Sequence, residues 1–315
     1  MKKGLKITFI TLGSLLGLVI IALVFALWSL LSPARLTKLV NKEAPNFLNC
    51  KFHIEKVDLT FFKTFPHIGL DLHELVLINP VYGAPTDTLL HVKHCATSLN
   101  IRELVKDKHV AIRDFTLQNG TANLFANPVG QTNFTNIFRL PKDTTSSEFS
   151  YTINLEQVKA DNIHVSYIDL QSKRRARLND LDLIVKGTYD NNDMEGDVKL
   201  GAKTLSFVTL DDNPLLAKGH DLDLHFDGSL LQMDSLLGTL NINIADLVLH
   251  VGDDPYVDTL DVTLASDLKV GLSNQTIDLR ETALSLGDYK LAVEGNARRD
   301  TATGDLSMNL NYRTE

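Results

Sequence analysis

Few residues in this chain have the types and spacing for chemistry. His91-x-x-His94 has the spacing of a two-histidine metal clamp on a helix, where residues three apart are neighbours. It falls in a segment that reads as strand, which sends residues three apart to opposite faces, so no metal site is expected there. Cys50 and His53 meet the same objection. Asp190-Asn191-Asn192-Asp193-Met194-Glu195 resembles a calcium loop, but the glycine expected sixth is Glu195 and the later ligands are missing, so a hairpin turn is expected. Cys50 and Cys95 could form one disulfide in an oxidising compartment, which is too few for a framework. There is no G-x-S-x-G, no phosphate-binding glycine loop and no H-E-x-x-H. Asn119-Gly-Thr121, Asn133-Phe-Thr135 and Asn274-Gln-Thr276 fit the glycosylation acceptor pattern, which is frequent by chance. The expectation is a binding or structural protein rather than an enzyme, with no catalytic residue, metal ligand or cofactor site.

The elements that carry these residues begin with an uncharged run from Ile7 to Leu31, long enough to cross a bilayer with some tilt. Lys2, Lys3 and Lys6 precede it, and Trp28 sits near its far end, where an aromatic ring favours the lipid–water boundary. The run exceeds a signal-peptide core, and Leu27-Trp28-Ser29-Leu30-Leu31 offers no small-residue cleavage site, so an uncleaved anchor is expected. Three lysines and the α-amine on the near side face Arg35, Lys38 and Lys42, partly offset by Glu43, on the far side. That bias favours a cytoplasmic 1–6 segment and an exported remainder. The chain has 315 residues, 44% hydrophobic and 22% charged, enough beyond the anchor for a large core in one or two domains. A net charge of −8 without a basic stripe argues against nucleic acid. The cluster Lys173, Arg174, Arg175 and Arg177 reads as a solvated turn between strands.

Residues 32–48 read as a short juxtamembrane amphipathic helix capped by Ser32, with Pro33 in its first turn and Leu36, Leu39 and Val40 on one face; Pro45 ends it. Thereafter period-two alternation dominates, as in Leu222-Leu224-Phe226 and Leu306-Met308-Leu310-Tyr312. Roughly fifteen to eighteen strands are expected. A short helix is expected at Ile101–Lys106 and a long loop over Asn127–Ser147. The first β block spans 49–140, a loop 141–150, and a second β-repeat block 151–315. A hexapeptide pattern, apolar-x-x-apolar-x-apolar, recurs at Ile54–Leu59, Leu72–Leu77, Ile112–Leu117, Leu155–Ala160, Leu178–Leu183 and Ile244–Leu249, often with an acidic or polar third residue. Alternation slips by one residue inside each copy. A β-bulge absorbs such a slip and bends the strand, so a curved sheet is expected. Two longer echoes suggest duplication: Leu178–Gly187 with Gly219–Gly228, and the hairpin Gly187…Gly196 with Gly295…Gly304.

Phe61-Phe62-Lys63-Thr64-Phe65-Pro66-His67-Ile68-Gly69-Leu70-Asp71-Leu72, running on to Leu75-Val76-Leu77-Ile78-Asn79-Pro80, resembles the N-terminal motif of the AsmA family. Leu104–Val110, Ile112–Leu117 and Gly130-Gln131-Thr132-Asn133-Phe134 resemble the segments that follow there. The resemblance covers about residues 1–190. It implies an inner-membrane protein of a diderm bacterium with its bulk in the periplasm, kin to chorein-type bridge proteins. Those fold as a long, strongly curved antiparallel sheet, a taco-like β-groove whose trough carries lipid acyl chains. Members are usually much longer, which implies either a truncated chain or a short member that needs partners.

The resulting expectation is a mostly β chain: an N-terminal transmembrane helix at 7–31, a short helix, then a long curved antiparallel repeat sheet. Its function is non-enzymatic phospholipid transport and outer-membrane assembly, with Leu181, Leu183, Val185, Leu222, Leu224, Phe226, Leu260, Val262 and Leu264 lining the groove. Expected partners are the membrane, phospholipid acyl chains and envelope proteins. The alternative is a tethered scaffold that carries no lipid and regulates outer-membrane protein assembly. An outer-membrane barrel is disfavoured by 7% aromatics and a terminal Arg313-Thr314-Glu315.

Overall fold

The computed structural model describes residues 32–46, 48–60, 67–100, 109–135, 137, 150–190, 193–232, 234–300, 303 and 305–314. The expected anchor at 7–31 and the expected helix at Ile101–Lys106 lie outside the described residues. Among the described residues, no helix is long and apolar enough to cross a membrane.

Helix α1 (Pro33–Glu43) begins after Ser32, whose carbonyl accepts the Arg35 and Leu36 N–H groups; its hydroxyl makes no cap. A 3-10 turn at Ala44–Asn46, containing Pro45, closes it. Leu36 and Val40 are half-buried, and Leu39, on the same helix face, is exposed. The helix docks through Thr37, whose hydroxyl donates to Pro33 O at 2.8 Å and accepts the Val57 N–H at 3.0 Å.

The described strands are β1 (Phe52–His53), β2 (Lys56–Thr60), β3 (His67–Ile78), β4 (Thr88–Asn100), β5 (His109–Ala126), β6 (Ser150–Asp169) and β7 (Arg174–Asp190). They continue with β8 (Asp193–Thr209), β9 (Leu215–Leu231), β10 (Ser235–Val251), β11 (Asp254–Gly271), β12 (Thr276–Leu286), β13 (Tyr289–Arg299) and β14 (Leu306–Thr314). All fourteen join one open sheet in chain order, with β1 and β2 sharing one edge of β3. Neighbours pair antiparallel except β5 and β6, which run parallel from His109↔Ser150 to Ala126↔Asp169. This corrects the wholly antiparallel expectation. The 127–149 connection returns the chain to the starting end of β5, as a parallel pair requires.

The described strands are fewer and longer than expected, reaching twenty residues in β6. Thirteen positions at ~4.8 Å make a path of about 60 Å across the sheet, shorter than the ~80 Å that seventeen strands would give. Strands outlast the slips in alternation because hydrogen bonding resumes beyond each one. Every hexapeptide copy marks an irregularity. Leu72–Leu77, Leu178–Leu183 and Ile244–Leu249 carry a left-handed third residue: Glu74 (φ 51°), Asp180 (51°) and Asp246 (50°). In Ile112–Leu117 and Leu155–Ala160 the β5–β6 register jumps between Ile112 and Asp114, and Ile54–Leu59 spans the break between β1 and β2. Asn119, Asn162, Asp221 and Glu281 are also left-handed within strands. Asn and Asp tolerate this conformation better than most residues.

A bulge takes an N–H out of the ladder, and a neighbouring side chain satisfies it. The Asn162 N–H donates to Asp182 Oδ1 at 2.9 Å, the Asp246 N–H to Asp261 Oδ1 at 3.1 Å, and the Asp180 N–H to His164 Nδ1 at 3.3 Å. The echo between Leu178–Gly187 and Gly219–Gly228 is structural. Asp180 and Asp221 are both left-handed, Leu181 and Leu222 both face Ala202, and Gly187 and Gly228 both face Gly196. The second echo fails in register, since Gly295 pairs with Leu310. Asp190 pairs with Asp193, so the calcium-like segment is a hairpin, and the basic cluster begins at a turn where Lys173 has φ 50°.

Candidate functional site

Directly opposed residues on neighbouring strands share a face. One transverse row therefore runs Val57, Leu72, Cys95, Leu117, Ala160, Leu183, Leu200, Leu224, Ile242, Leu264, Leu284 and Leu291, one residue from each of twelve consecutive strands. Every member is apolar. A second row, Phe115, Val158, Val185, Val198, Phe226 and Leu240, lies beside it and ends at Ser266. On the other side run Leu75, Val92, Gly120, Ile163, Leu181, Ala202 and Leu222.

All nine residues expected to line a groove fall on this face: Leu181, Leu183 and Val185 on β7, Leu222, Leu224 and Phe226 on β9, and Leu260, Val262 and Leu264 on β11. Leu181 is buried at 6% exposure and the other eight are half-buried. Sequence reading missed the intervening members, such as Leu200 and Ile242, although they follow the same period-two signal. The opposite face is polar, as in Lys159, Lys199, His225 and Asn241 around Ile184.

Gly187, Gly196, Gly228 and Gly238 form a glycine row beyond the second apolar row. A Cβ on Gly228 would lie 2.1 Å from Leu237 O and 2.7 Å from Phe226 Cζ, so the bare backbone makes room for the Phe226 ring. A shallow concavity of about 960 Å³ lies at the β3–β8 end of the sheet, lined by Leu70, Ala96 and glycine backbone together with Asp71, Ser98, Asp114 and Lys186. It is not the apolar stripe, which is an open surface rather than an enclosed cavity.

The histidine pair behaves differently from its expectation. Val92 and Cys95 are both buried on the apolar face, so the alternation of β4 slips between them and His91 and His94 share the polar face. His91 Nε2 lies 2.6 Å from Glu74 Oε2, and that hydrogen bond holds the Glu74 carboxyl below the usual range. His94 Nδ1 lies 3.0 Å from Asp71 Oδ2. Cys50 and Cys95 are free thiols. Burial, reinforced by the Asp71 charge, pushes the Cys95 thiol up to about 12.

Asn133 is fully buried. Its side chain accepts the Phe125 N–H at 2.8 Å and donates to Asn123 O at 2.8 Å, tying the loop after β5 back onto that strand. Gly130 precedes it at φ 80°, and Asn127 Oδ1 accepts the Val129 and Gln131 N–H groups. The spacing Gly130-x-x-Asn133-Phe134 thus encodes a turn and its lock, and Asn133 is no glycosylation acceptor in the folded chain.

No curated protein and no solved structure matches the chain. A family model described as AsmA family matches residues 1–207, which include the turn at Gly130–Phe134 and the first half of the apolar face. On that match, the chain belongs to the AsmA family.

Proposed function

We propose that this protein is a non-enzymatic, inner-membrane-anchored periplasmic lipid carrier that takes part in phospholipid transport and outer-membrane homeostasis. The observation that carries this reading is the twelve-residue apolar row, half-buried over most of its length and covered by no second layer among the described residues. An apolar strip left to water is unfavourable, and acyl chains laid along it would remove that contact without directional bonds. Phospholipids fit because their tails need only apolar contact while their headgroups stay at the open side. Membership of the AsmA family and the uncharged 7–31 segment support the envelope setting.

The test is photocrosslinking in intact membranes with the full chain. Benzophenone groups placed at Leu224 and Leu264 should yield adducts of phospholipid mass, and one at Thr263, on the opposite face, should not. Protein adducts in place of lipid at Leu224 and Leu264 would move the reading to the tethered scaffold. Adducts at neither position would end the carrier reading.

A further inference from the structure

We infer that Asp71, His73 and His94, with Asp58 as fourth donor, form a site for one divalent transition-metal ion of the zinc class that clasps β2, β3 and β4 together. The placement follows from register. His73 faces His94 across β3–β4, and Asp58 faces Asp71 across β2–β3. Val57, Leu72 and Cys95 point to the apolar face, so these four neighbours gather on the polar one.

Asp71 Oδ2 lies 3.0 Å from His94 Nδ1 and 3.4 Å from His73 Nε2, and His73 Nε2 lies 2.9 Å from Asp58 Oδ2. The donor atoms of Asp71, His73 and His94 all fall within 4.8 Å of one another. Four bonds of about 2.0–2.2 Å in a tetrahedron put donor atoms about 3.3 Å apart, so the cluster needs little movement to close on an ion.

Two atoms argue for more than an ion-pair network. Asp71 Oδ1 and His73 Nε2 are buried side-chain atoms with no hydrogen-bond partner. The Asp58 oxygen 2.9 Å from His73 Nε2 is within ion-pair reach. Buried polar atoms normally have partners, and two orphans in one cluster call for one they can share. Two imidazoles with carboxylates suit zinc, cobalt or nickel better than calcium or magnesium, which take oxygen alone. Lys56 Nζ, 2.8 Å from Asp58 Oδ2, competes for the fourth donor; it is half-exposed and free to swing into water. A second cluster, Asp197, His225 and Asp227, offers a single imidazole, its Asp227 is exposed, and Lys199 lies 3.8 Å from Asp197. It serves as an internal control.

The full chain, purified in detergent and stripped with chelator, is titrated with cobalt(II) and then zinc(II). One cobalt per chain with the intense visible bands of tetrahedral coordination, displaced by zinc, is the expected result, together with a rise of a few degrees in Tm. His73→Gln and His94→Gln should each weaken zinc binding at least tenfold, and His225→Gln should leave it unchanged. A cobalt spectrum of octahedral type in the unmodified chain would overturn the inference even if the variants fail to fold. So would zinc binding that survives both substitutions, since it would belong to other histidines.

Discussion

Between β1 and β8 the chain holds every buried hydrophobic side chain among the described residues, Ile54 through Ala202. From β9 to β14 the same rows continue through Leu224, Ile242, Leu264, Leu284 and Leu291, and none of these is fully buried. The side chains are of one kind in both halves; their burial differs. In the first half α1 docks on β2 at one edge and Asn133 ties its turn back onto β5, while the buried cluster is built from sheet side chains alone. There Val92, Cys95, Ala160, Ile163, Leu181 and Ala202 close into one cluster. In the second half the corresponding residues stay half-buried. A sheet face that hides its own side chains supplies stability, whereas one that leaves them half-open supplies a surface for something else to cover.

The largest expected effect breaks this contrast directly. Leu181→Asp places an unpaired carboxylate in the buried cluster and should cost more than about 3 kcal/mol, enough to unfold the first half. Leu224→Asp, on the same face in the open half, should cost about 1–2 kcal/mol, stay folded and lose bound lipid. Circular dichroism and thermal melting check the folding, and lipid extraction checks the load. If Leu224→Asp also unfolds, or keeps its full lipid load, the open half is not an open lipid face.

Cys95 sharpens the comparison from the buried side. Its thiol is pushed from 9.0 to about 12, so between those values the folded chain keeps a proton that the unfolded chain has lost. The stabilising contribution is therefore complete below about pH 9 and falls as pH rises, by up to about 4 kcal/mol once pH approaches 12. The measurement is denaturant midpoint against pH from 8 to 11 for the native chain and for Cys95→Ala. The native chain should lose stability more steeply. Parallel curves would mean that Cys95 is not sealed from water.

Much of this was legible in the residues. The hexapeptide slips at Leu72–Leu77, Leu178–Leu183 and Ile244–Leu249 announced kinks, and the kinks are at their third residues. The alternation of Leu222-Leu224-Phe226 fixed a shared face once the register was known. The parallel β5–β6 pair was hidden, because pairing direction there depends on where a long connection lands. The shared face of His91 and His94 was hidden too. Beta-strand β4 carries no left-handed residue among those described, and its slip is set by Glu74 and Asn119 on its neighbours. Nor does periodicity say what covers an apolar face, so the contrast between the halves was invisible until burial could be read.

The smallest expected effect asks whether the kinks differ between the halves as the burial does. Asp182 caps the Asn162 N–H in the buried half, and Asp261 caps the Asp246 N–H in the open half, at nearly equal distances of 2.9 and 3.1 Å. Asn162, Asp182, Asp246 and Asp261 are all exposed, so water can replace either cap. Asp182→Ala and Asp261→Ala should therefore each cost about 1 kcal/mol, measured by denaturant titration. Matching costs would mean that the bend in the sheet is built locally and identically along its length, with burial added on top. A cost of several kcal/mol for Asp182→Ala alone would mean that the kink at Asn162 holds the neighbouring Ile163 in the cluster, and the two halves would then differ in backbone as well as in burial.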